Sequence, residues 1–234
     1  MKKIYACFIL VNVLIFSACS GGGGEEGGAF KGGGLSVTED GSLKIHTDIY
    51  LFNDSTGSFT KAGSAVNGTA NSYSGGHIIG DISGGKLDMT IPKPAGSYMT
   101  EATDYEWDFF DTLPPEFFKN GAHVKVWGLE SMYLDIPGEY FSLTLIDNPK
   151  VSSAMGLHGI DGDEFSIYYS EGIVKISGTN VFTDYGFTIN DIWDVELKEG
   201  WNVIRASTTG SFFNSTTTYS AKRGPTNNSK WVAE

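Results

Sequence analysis

The sequence is poor in cysteine and histidine. Its two cysteines, Cys7 and Cys19, lie within the first nineteen residues, so the rest of the chain can form neither an internal disulfide nor a cysteine-based zinc site. The four histidines stand singly, and the chain has no H-E-x-x-H spacing, P-loop, dinucleotide fingerprint or G-x-S-x-G elbow. We therefore predict no metal site, no cofactor and no catalytic residue, and we expect a protein that is not an enzyme.

Basic residues are also few. Lys and Arg number 16 against 28 Asp and Glu, which gives a formal net charge of −12. Nucleic-acid binding needs clustered Lys and Arg to neutralise phosphates, and attraction to anionic lipid needs the same sign of charge. The composition therefore argues against a nucleic-acid partner and against charge-driven attachment to a membrane.

No apolar run is long enough for a permanent transmembrane helix. The longest, residues 4–16, is apolar except for Asn12 and would rise only about 20 Å as a helix, against a hydrocarbon core of about 30 Å. It follows a pair of lysines and precedes two small residues. This layout predicts a secretory signal peptide over residues 1–18.

Residues 16–19 read Phe-Ser-Ala-Cys. They resemble the lipobox of bacterial lipoproteins, whose usual pattern is Leu, then Ala or Ser, then Gly or Ala, then Cys; Phe16 departs from the usual Leu. The resemblance implies that the Cys19 sulfur receives a diacylglycerol and that the chain is cut just before it. Because two acyl chains suffice for stable anchoring, the expected location is the bacterial cell envelope, with the outer membrane or the cell surface favoured.

Glycine dominates the stretch after the predicted cleavage site. Nine of the fifteen residues in 20–34 are Gly, which predicts a flexible tether with a reach of about 20 Å. The domain organisation is therefore a lipidated Cys with its tether over residues 19–34 and a body over residues 35–234. The acids Glu25 and Glu26 fit either an export signal to the cell surface or simple solubilisation of the tether.

Apolar and polar residues alternate with period two along the body, which is typical of strands with one buried face. Turn-forming Gly, Asn and Asp separate roughly ten to twelve short runs. This pattern predicts an all-β fold, specifically an antiparallel β-sandwich or two stacked β-modules. The residues expected on the buried parity are Leu43, Ile45, Ile49, Leu51, Leu87, Met89, Ile91, Val124, Val126, Phe141, Leu143, Leu145, Phe165, Ile167, Tyr169, Val174, Ile176, Trp193, Val195 and Leu197.

Local patterns add detail to this fold. Residues 193–206 predict a hairpin around a short turn that contains glycine, and the paired prolines within residues 113–119 predict one short helix. Residues 161–164, Asp-Gly-Asp-Glu, predict a tight turn into the next strand, with calcium binding as the alternative. One body is favoured, and a sub-boundary near residues 148–150 is the alternative.

The segment 101–111 is the densest candidate site because it interleaves acids with aromatic rings. A sugar-binding platform, an oxygen-lined calcium site and a carboxylate pair for glycoside hydrolysis would all use such residues. The structural alternative is a loop whose aromatic rings pin it to the body while its acids stay solvated. The residues predicted to contact a ligand are Asp104, Tyr105, Glu106, Trp107 and Asp108.

The sequence thus predicts a lipid-anchored envelope protein with a non-enzymatic binding or structural role, and with a glycan or a protein as its candidate partner. A carbohydrate-binding surface lipoprotein is the first alternative. A surface glycoside hydrolase that uses two of the acids in the segment 101–111 is the second.

Overall fold

The structure is a computed structural model that describes residues 32–72, 78–107, 113–129, 132–137, 139–154, 157–184, 187–211 and 214–234. Strands make up nearly all of its regular structure, which confirms the predicted all-β fold. Two short 3-10 helices, Gly96–Tyr98 and Pro115–Phe117, accompany them. Within these ranges no helix is long and apolar enough to cross a membrane.

Seventeen strands are assigned within the described ranges. The number exceeds the ten to twelve predicted because several strands are only two to five residues long, too short to show alternation. Their bounds are β1 Leu35–Val37, β2 Leu43–Asn53, β3 Ser58–Lys61, β4 Gly68–Ser72, β5 Ile78–Ser83, β6 Lys86–Ile91, β7 Thr100–Glu101, β8 Phe118–Asn120, β9 Lys125–Leu129, β10 Met132–Ile136, β11 Glu139–Ala154, β12 Leu157–Ser170, β13 Val174–Asp184, β14 Phe187–Leu197, β15 Gly200–Ser211, β16 Asn214–Ser220 and β17 Lys230–Ala233.

Seven strands close into a barrel by continuous pairing, in the order β2, β6, β5, β4, β10, β11, β17 and back to β2. The closing pair is parallel, with Trp231 of β17 opposite Ile49 of β2, and the other six pairings are antiparallel. Closure satisfies the backbone groups that a free sheet edge would leave unpaired.

The outer strands form a sheet in the order β7, β9, β12, β15, β16, β14, β13, β8. This sheet departs from the barrel along β12, where Phe165 still pairs with Leu145 of β11 whereas Ile167 pairs with β9. The indole N–H of Trp201 in β15 donates to the carbonyl of Gly41, 2.7 Å away, and so links the outer sheet to the turn between β1 and β2. The pairings define a barrel with an outer sheet and do not single out a sandwich.

The predicted alternation is confirmed by burial. One main hydrophobic cluster draws on both the barrel and the outer sheet, so the two share a core. Three residues of the predicted parity, Leu51, Val124 and Phe141, pack on this cluster only partly buried. The fully buried members are Leu43, Ile45, Ile49, Leu87, Met89, Ile91, Val126, Leu143, Leu145, Phe165, Ile167, Tyr169, Val174, Ile176, Trp193, Val195 and Leu197.

The short helix predicted over residues 113–119 is reduced to a single 3-10 turn. The turn Pro115–Phe117 passes directly into β8, where Phe118 pairs with Ile176 of β13. The ring of Phe117 packs against Gly178, where an added Cβ would lie 2.5 Å from the ring. Strand pairing and this close contact hold the chain extended where the proline pattern alone indicates a helix.

The hairpin predicted over residues 193–206 is wrong, because β16 lies between its two arms. Strand β14 pairs in parallel with β16, and β16 pairs antiparallel with β15. Only beyond the end of β16 do the arms approach, through the buried side chain of Asn202. Its Oδ1 accepts the Lys198 N–H at 2.7 Å, and its Nδ2 donates to the carbonyls of Lys198 and Gly200, each at 2.5 Å. The chain therefore turns tightly from β14 into β15, and β16, which follows them in the sequence, lies between these two strands.

The tight turn predicted at residues 161–164 is also wrong, because these residues lie inside the long strand β12. They face a bulge in β11, where the register shifts between Asp147 and Lys150 and where Asn148 takes a positive φ of 49°. Gly162, at φ 155°, approaches Ile146 so closely that a Cβ would lie 2.6 Å from its side chain. Residues 148–150, the alternative sub-boundary, therefore sit within a continuous strand.

Candidate functional site

The segment 101–107 turns its tryptophan into the core. Trp107 is 2% exposed, and its indole N–H donates to the carbonyl of Ala102 at 2.6 Å. The Tyr168 ring stacks on it with centroids 5.3 Å apart, and Trp193 meets it edge-on at 6.5 Å. Because the ring is buried among other aromatic rings, it cannot serve as the exposed sugar platform predicted for Trp107.

Tyr105 supports the same aromatic cluster. Its ring meets Trp107 edge-on at 5.2 Å and Tyr168 edge-on at 5.8 Å. The phenol lies directly over Gly128 of β9, where an added Cβ would be 2.0 Å from the hydroxyl oxygen. The absence of a side chain at Gly128 thus lets the Tyr105 ring approach β9 closely.

The acids of this segment point the other way. Asp104 and Glu106 are exposed on either side of the partly buried Tyr105, whereas Asp108 lies outside the described residues. Residues 104–107 thus match the structural alternative, in which aromatic rings fix the loop and its acids stay solvated. Ligand binding by Asp104, Tyr105, Glu106 and Asp108 stays a prediction.

Two other acids each carry a buried carboxylate oxygen, and the sequence pattern does not reveal them. Glu164 lies in β12, and Glu234 extends β17 through backbone hydrogen bonds with Ser142 of 2.9 and 3.1 Å. Within the described part of the chain, the Oε2 of Glu164, the Oε1 of Glu234 and the Oγ of Ser166 are buried without a hydrogen-bond partner. Unpaired buried oxygens of this kind disfavour a charged carboxylate.

Burial therefore raises the pKa of Glu164 well above its usual range, and the nearby charge of Glu234 raises it further. Burial likewise raises the pKa of Glu234. On the opposite face of the same strand, Asp163 forms an ion pair with Arg205 of β15. The protonation of the two glutamates is consequently coupled to folding.

The last glycines of the predicted tether are packed against the body, so the tether ends earlier than predicted. Gly33 and Gly34 take positive φ values of 69° and 66°. An added Cβ would lie 2.2 Å from the His46 carbonyl oxygen at Gly34, and 1.8 Å from the Thr226 carbonyl oxygen at Gly32. These glycines permit a close backbone approach that side chains would block.

A polar cleft of about 360 Å³ opens beside these glycines. Within it, the Asp48 carboxylate contacts Lys61 at 2.6 Å and Lys86 at 3.1 Å, and the Lys230 ammonium lies 4.6 Å above the Tyr50 ring centroid. The hydrogen bond from Lys61, followed by that from Lys86, lowers the pKa of Asp48. The volume lies at the small end of ligand pockets, and the carboxylate is already neutralised by two lysines.

The loop at one side of the cleft is held by a buried carboxylate. Asp147 is 2% exposed, and its Oδ1 accepts hydrogen bonds from the hydroxyls of Thr226 at 2.5 Å and Ser229 at 2.8 Å. Its Oδ2 accepts a bond from the Asn148 amide at 3.1 Å. The bulge in β11 thus presents a side chain that fixes the loop leading into β17.

A pair of tyrosines that no local sequence pattern marks lies on the outer wall of the barrel. The rings of Tyr133 in β10 and Tyr140 in β11 stack with centroids 5.2 Å apart and planes 17° apart. Tyr140 is 60% exposed. Alternation could have placed Tyr133 on the outer face, since it lies between buried Met132 and Leu134.

In the described ranges, no group of three or more His, Cys, Asp or Glu side chains is placed to hold a metal ion. Comparison of the chain with models of protein families, with curated proteins and with solved structures gives no match. A functional assignment therefore rests on the sequence features and the geometry described above.

Proposed function

We propose that this chain is a lipid-anchored protein of the bacterial cell envelope with a non-enzymatic binding or structural role. The observation that carries the proposal is the order of features over residues 1–19: two lysines, a thirteen-residue apolar run, two small residues and Cys19. A diacylglycerol on Cys19 would hold the body at a membrane without a transmembrane helix.

The geometry at the start of the body supports this arrangement. The Trp231 indole N–H donates to the Gly33 carbonyl at 2.7 Å, and the His46 backbone N–H donates to the Gly34 carbonyl at 2.8 Å. The docked end of the chain is thereby tied to both strands of the closing barrel pair. Residues 20–31, twelve residues of predicted linker, connect this point to Cys19.

We propose that the body binds a partner through its exposed surface. Its acidic charge suits a partner other than nucleic acid, and a neutral glycan or a protein meets that condition. The stacked tyrosine pair, in which Tyr140 is exposed and Tyr133 is half-buried, favours carbohydrate binding as the second candidate function, although not through Trp107. We also propose that the outer sheet packs on the barrel wall as a second layer, as in a sandwich. The hydrogen bond from Trp201 to Gly41 supports this arrangement.

Metabolic labelling tests the anchor. The wild-type chain, expressed in a bacterium that processes lipoproteins, should incorporate labelled palmitate and fractionate with membranes. Cys19→Ser should lose the label and accumulate as a precursor that retains residues 1–18, whereas Cys7→Ser should behave as wild type. Labelling of Cys19→Ser equal to that of wild type would refute the proposal.

A further inference from the structure

The strongest unassigned feature is the stacked tyrosine pair on the outer wall of the barrel. Alternation along β10 buries Met132 and Leu134 and directs Tyr133 and Asp135 outward. Tyr140 lies opposite Asp135 in the antiparallel pair, so both project from the same face. The two rings come from adjacent strands of a closed sheet, which makes their position rigid.

Hydrogen-bonding side chains lie on the same face of the sheet as these rings. On the other side of β10, Asn71 lies opposite Tyr133 and Thr69 lies opposite Asp135. The Asn71 amide donates to the Thr69 hydroxyl at 3.2 Å, which orients both groups on the outer face. An amide, a hydroxyl and the exposed carboxylate of Asp135 therefore share the outer face with the Tyr140 ring.

Tyr140 remains 60% exposed while its ring stacks on Tyr133. An exposed aromatic ring offers apolar area and a negative face to a ligand that packs on it. Because Tyr133 already supports the ring, a ligand that stacks on Tyr140 loses little conformational freedom of the protein. The site is thus ordered before binding.

The chemistry of this patch fits a sugar. The C–H groups on one face of a pyranose ring are weakly positive and pack on the negative face of an aromatic ring. The hydroxyls at the sugar rim match the exposed carboxylate of Asp135, which accepts hydrogen bonds. The net charge of −12 disfavours a polyanionic ligand, which leaves a neutral polysaccharide as the class that fits.

We propose that the Tyr140 platform, formed by Thr69, Asn71, Tyr133, Asp135 and Tyr140, binds neutral polysaccharides by stacking one pyranose ring on Tyr140. The inference deepens the binding role stated under "Proposed function", because it names both the ligand class and the surface. It also relocates carbohydrate binding from the segment 101–111 to the barrel wall.

Affinity electrophoresis of the full lipidated chain in non-ionic detergent tests the platform. Native gels would contain hydroxyethylcellulose, xylan, soluble starch, galactomannan or a soluble β-1,3-glucan. At least one of these should retard the wild-type protein. Tyr140→Ala should raise the dissociation constant for that polysaccharide about tenfold, which corresponds to about 1.4 kcal/mol, while Tyr140→Trp should retain binding because it keeps an aromatic face.

Tyr98→Ala is the matched control, because Tyr98 is a similarly exposed tyrosine at 54% but lies in a separate 3-10 turn. It should bind as wild type does. No retardation by any of the five polysaccharides, or equal retardation of Tyr140→Ala and wild type, would overturn the proposal. Retardation that falls equally in Tyr98→Ala and Tyr140→Ala would contradict the assignment to this surface.

Palmitate labelling of the same samples separates this inference from the anchor proposal. Labelled protein that no polysaccharide retards would overturn the platform and leave the anchor standing. Protein that is retarded but carries no label would overturn the anchor and support the platform.

Discussion

The indole N–H of Trp231 donates a hydrogen bond to the carbonyl oxygen of Gly33, 2.7 Å away. Trp231 is 3% exposed and belongs to β17, the strand that closes the barrel against β2. The contact joins residues 198 positions apart in the chain. The end of the predicted tether is therefore part of the folded body, and its glycines contribute to stability.

Gly34→Ala should destabilise the fold more than the same change at Gly41. Both glycines have positive φ values, 66° and 81°, so both substitutions carry a backbone cost of about 1–2 kcal/mol. At Gly34 the new Cβ would also meet the His46 carbonyl oxygen at 2.2 Å, whereas at Gly41 nothing lies within 4 Å. Displacing the backbone should add about 1–3 kcal/mol.

Urea unfolding of the two variants measures this difference. The free energy of unfolding should fall by roughly twice as much for Gly34→Ala as for Gly41→Ala, on the order of the magnitudes above. Equal losses would show that residues 32–34 do not pack against the body.

Trp107→Ala should cost about 3–5 kcal/mol of stability, the usual range for removing a buried tryptophan. The ring is 2% exposed and contacts Tyr168 and Trp193, so its removal leaves a cavity between β12 and β14. Tyr98→Ala, at an exposed position, should change stability by less than about 0.5 kcal/mol. A Trp107→Ala protein as stable as wild type would contradict the burial of this segment.

Glu164 and Glu234, each with a buried carboxylate oxygen, predict an unusual pH dependence. The folded-state pKa of Glu164 is raised above its ordinary value of 4.5. Below pH 4.5 the carboxyl is protonated in both states and imposes no penalty, and stability falls as the pH rises from 4.5 to the folded-state pKa. Glu164→Gln removes this titration, so the variant should be more stable than wild type at pH 8.

Urea midpoints at pH 4 and pH 8 check this prediction. The advantage of Glu164→Gln over wild type should shrink between pH 8 and pH 4, because wild-type Glu164 becomes neutral there. Gln in place of Glu171, an exposed acid just after β12, should show no such trend. A Glu164→Gln variant less stable than wild type at pH 8 would argue that the carboxylate is favourably paired when charged.

Asp147→Ala should cost about 3 kcal/mol, because hydrogen bonds to a charged group contribute about 1.5–3 kcal/mol and their loss leaves two hydroxyl hydrogens without their acceptor. The hydroxyls are those of Thr226 and Ser229, which hold the loop before β17. Asp54→Ala, in an exposed turn, serves as the control. Thermal unfolding of both variants distinguishes them, and similar melting temperatures would contradict the role assigned to Asp147.

Alternation predicts which residues are buried, because a two-residue period depends only on the local chain. Leu87, Met89 and Ile91 are each at most 1% exposed, as their parity requires. The local sequence does not predict which strands pair, since pairing depends on segments that are far away in the chain. The arms at 193–206 fit a hairpin locally, yet β16 forms the better pairing and stacks Tyr219 on Trp193 with centroids 3.9 Å apart.

The candidate site shows the same limit. The acids and aromatic rings of residues 101–111 cluster in sequence, but the Trp107 ring is buried in the core and is not exposed to a ligand. Tyr133 and Tyr140 lie on separate strands, so only their pairing across β10 and β11 brings the rings together. The local sequence around Glu164 predicts a solvated acid. It gives no sign that Ile146 of β11 and Ala206 of β15 lie opposite Glu164 on the two neighbouring strands.

The mass of the N-terminal peptide of the membrane-extracted protein tests the central claim most directly. We expect a chain that begins at Cys19 and carries a thioether-linked diacylglycerol, with residues 1–18 absent. A chain that begins elsewhere, or one that begins at Cys19 with an unmodified thiol, would contradict the lipid anchor.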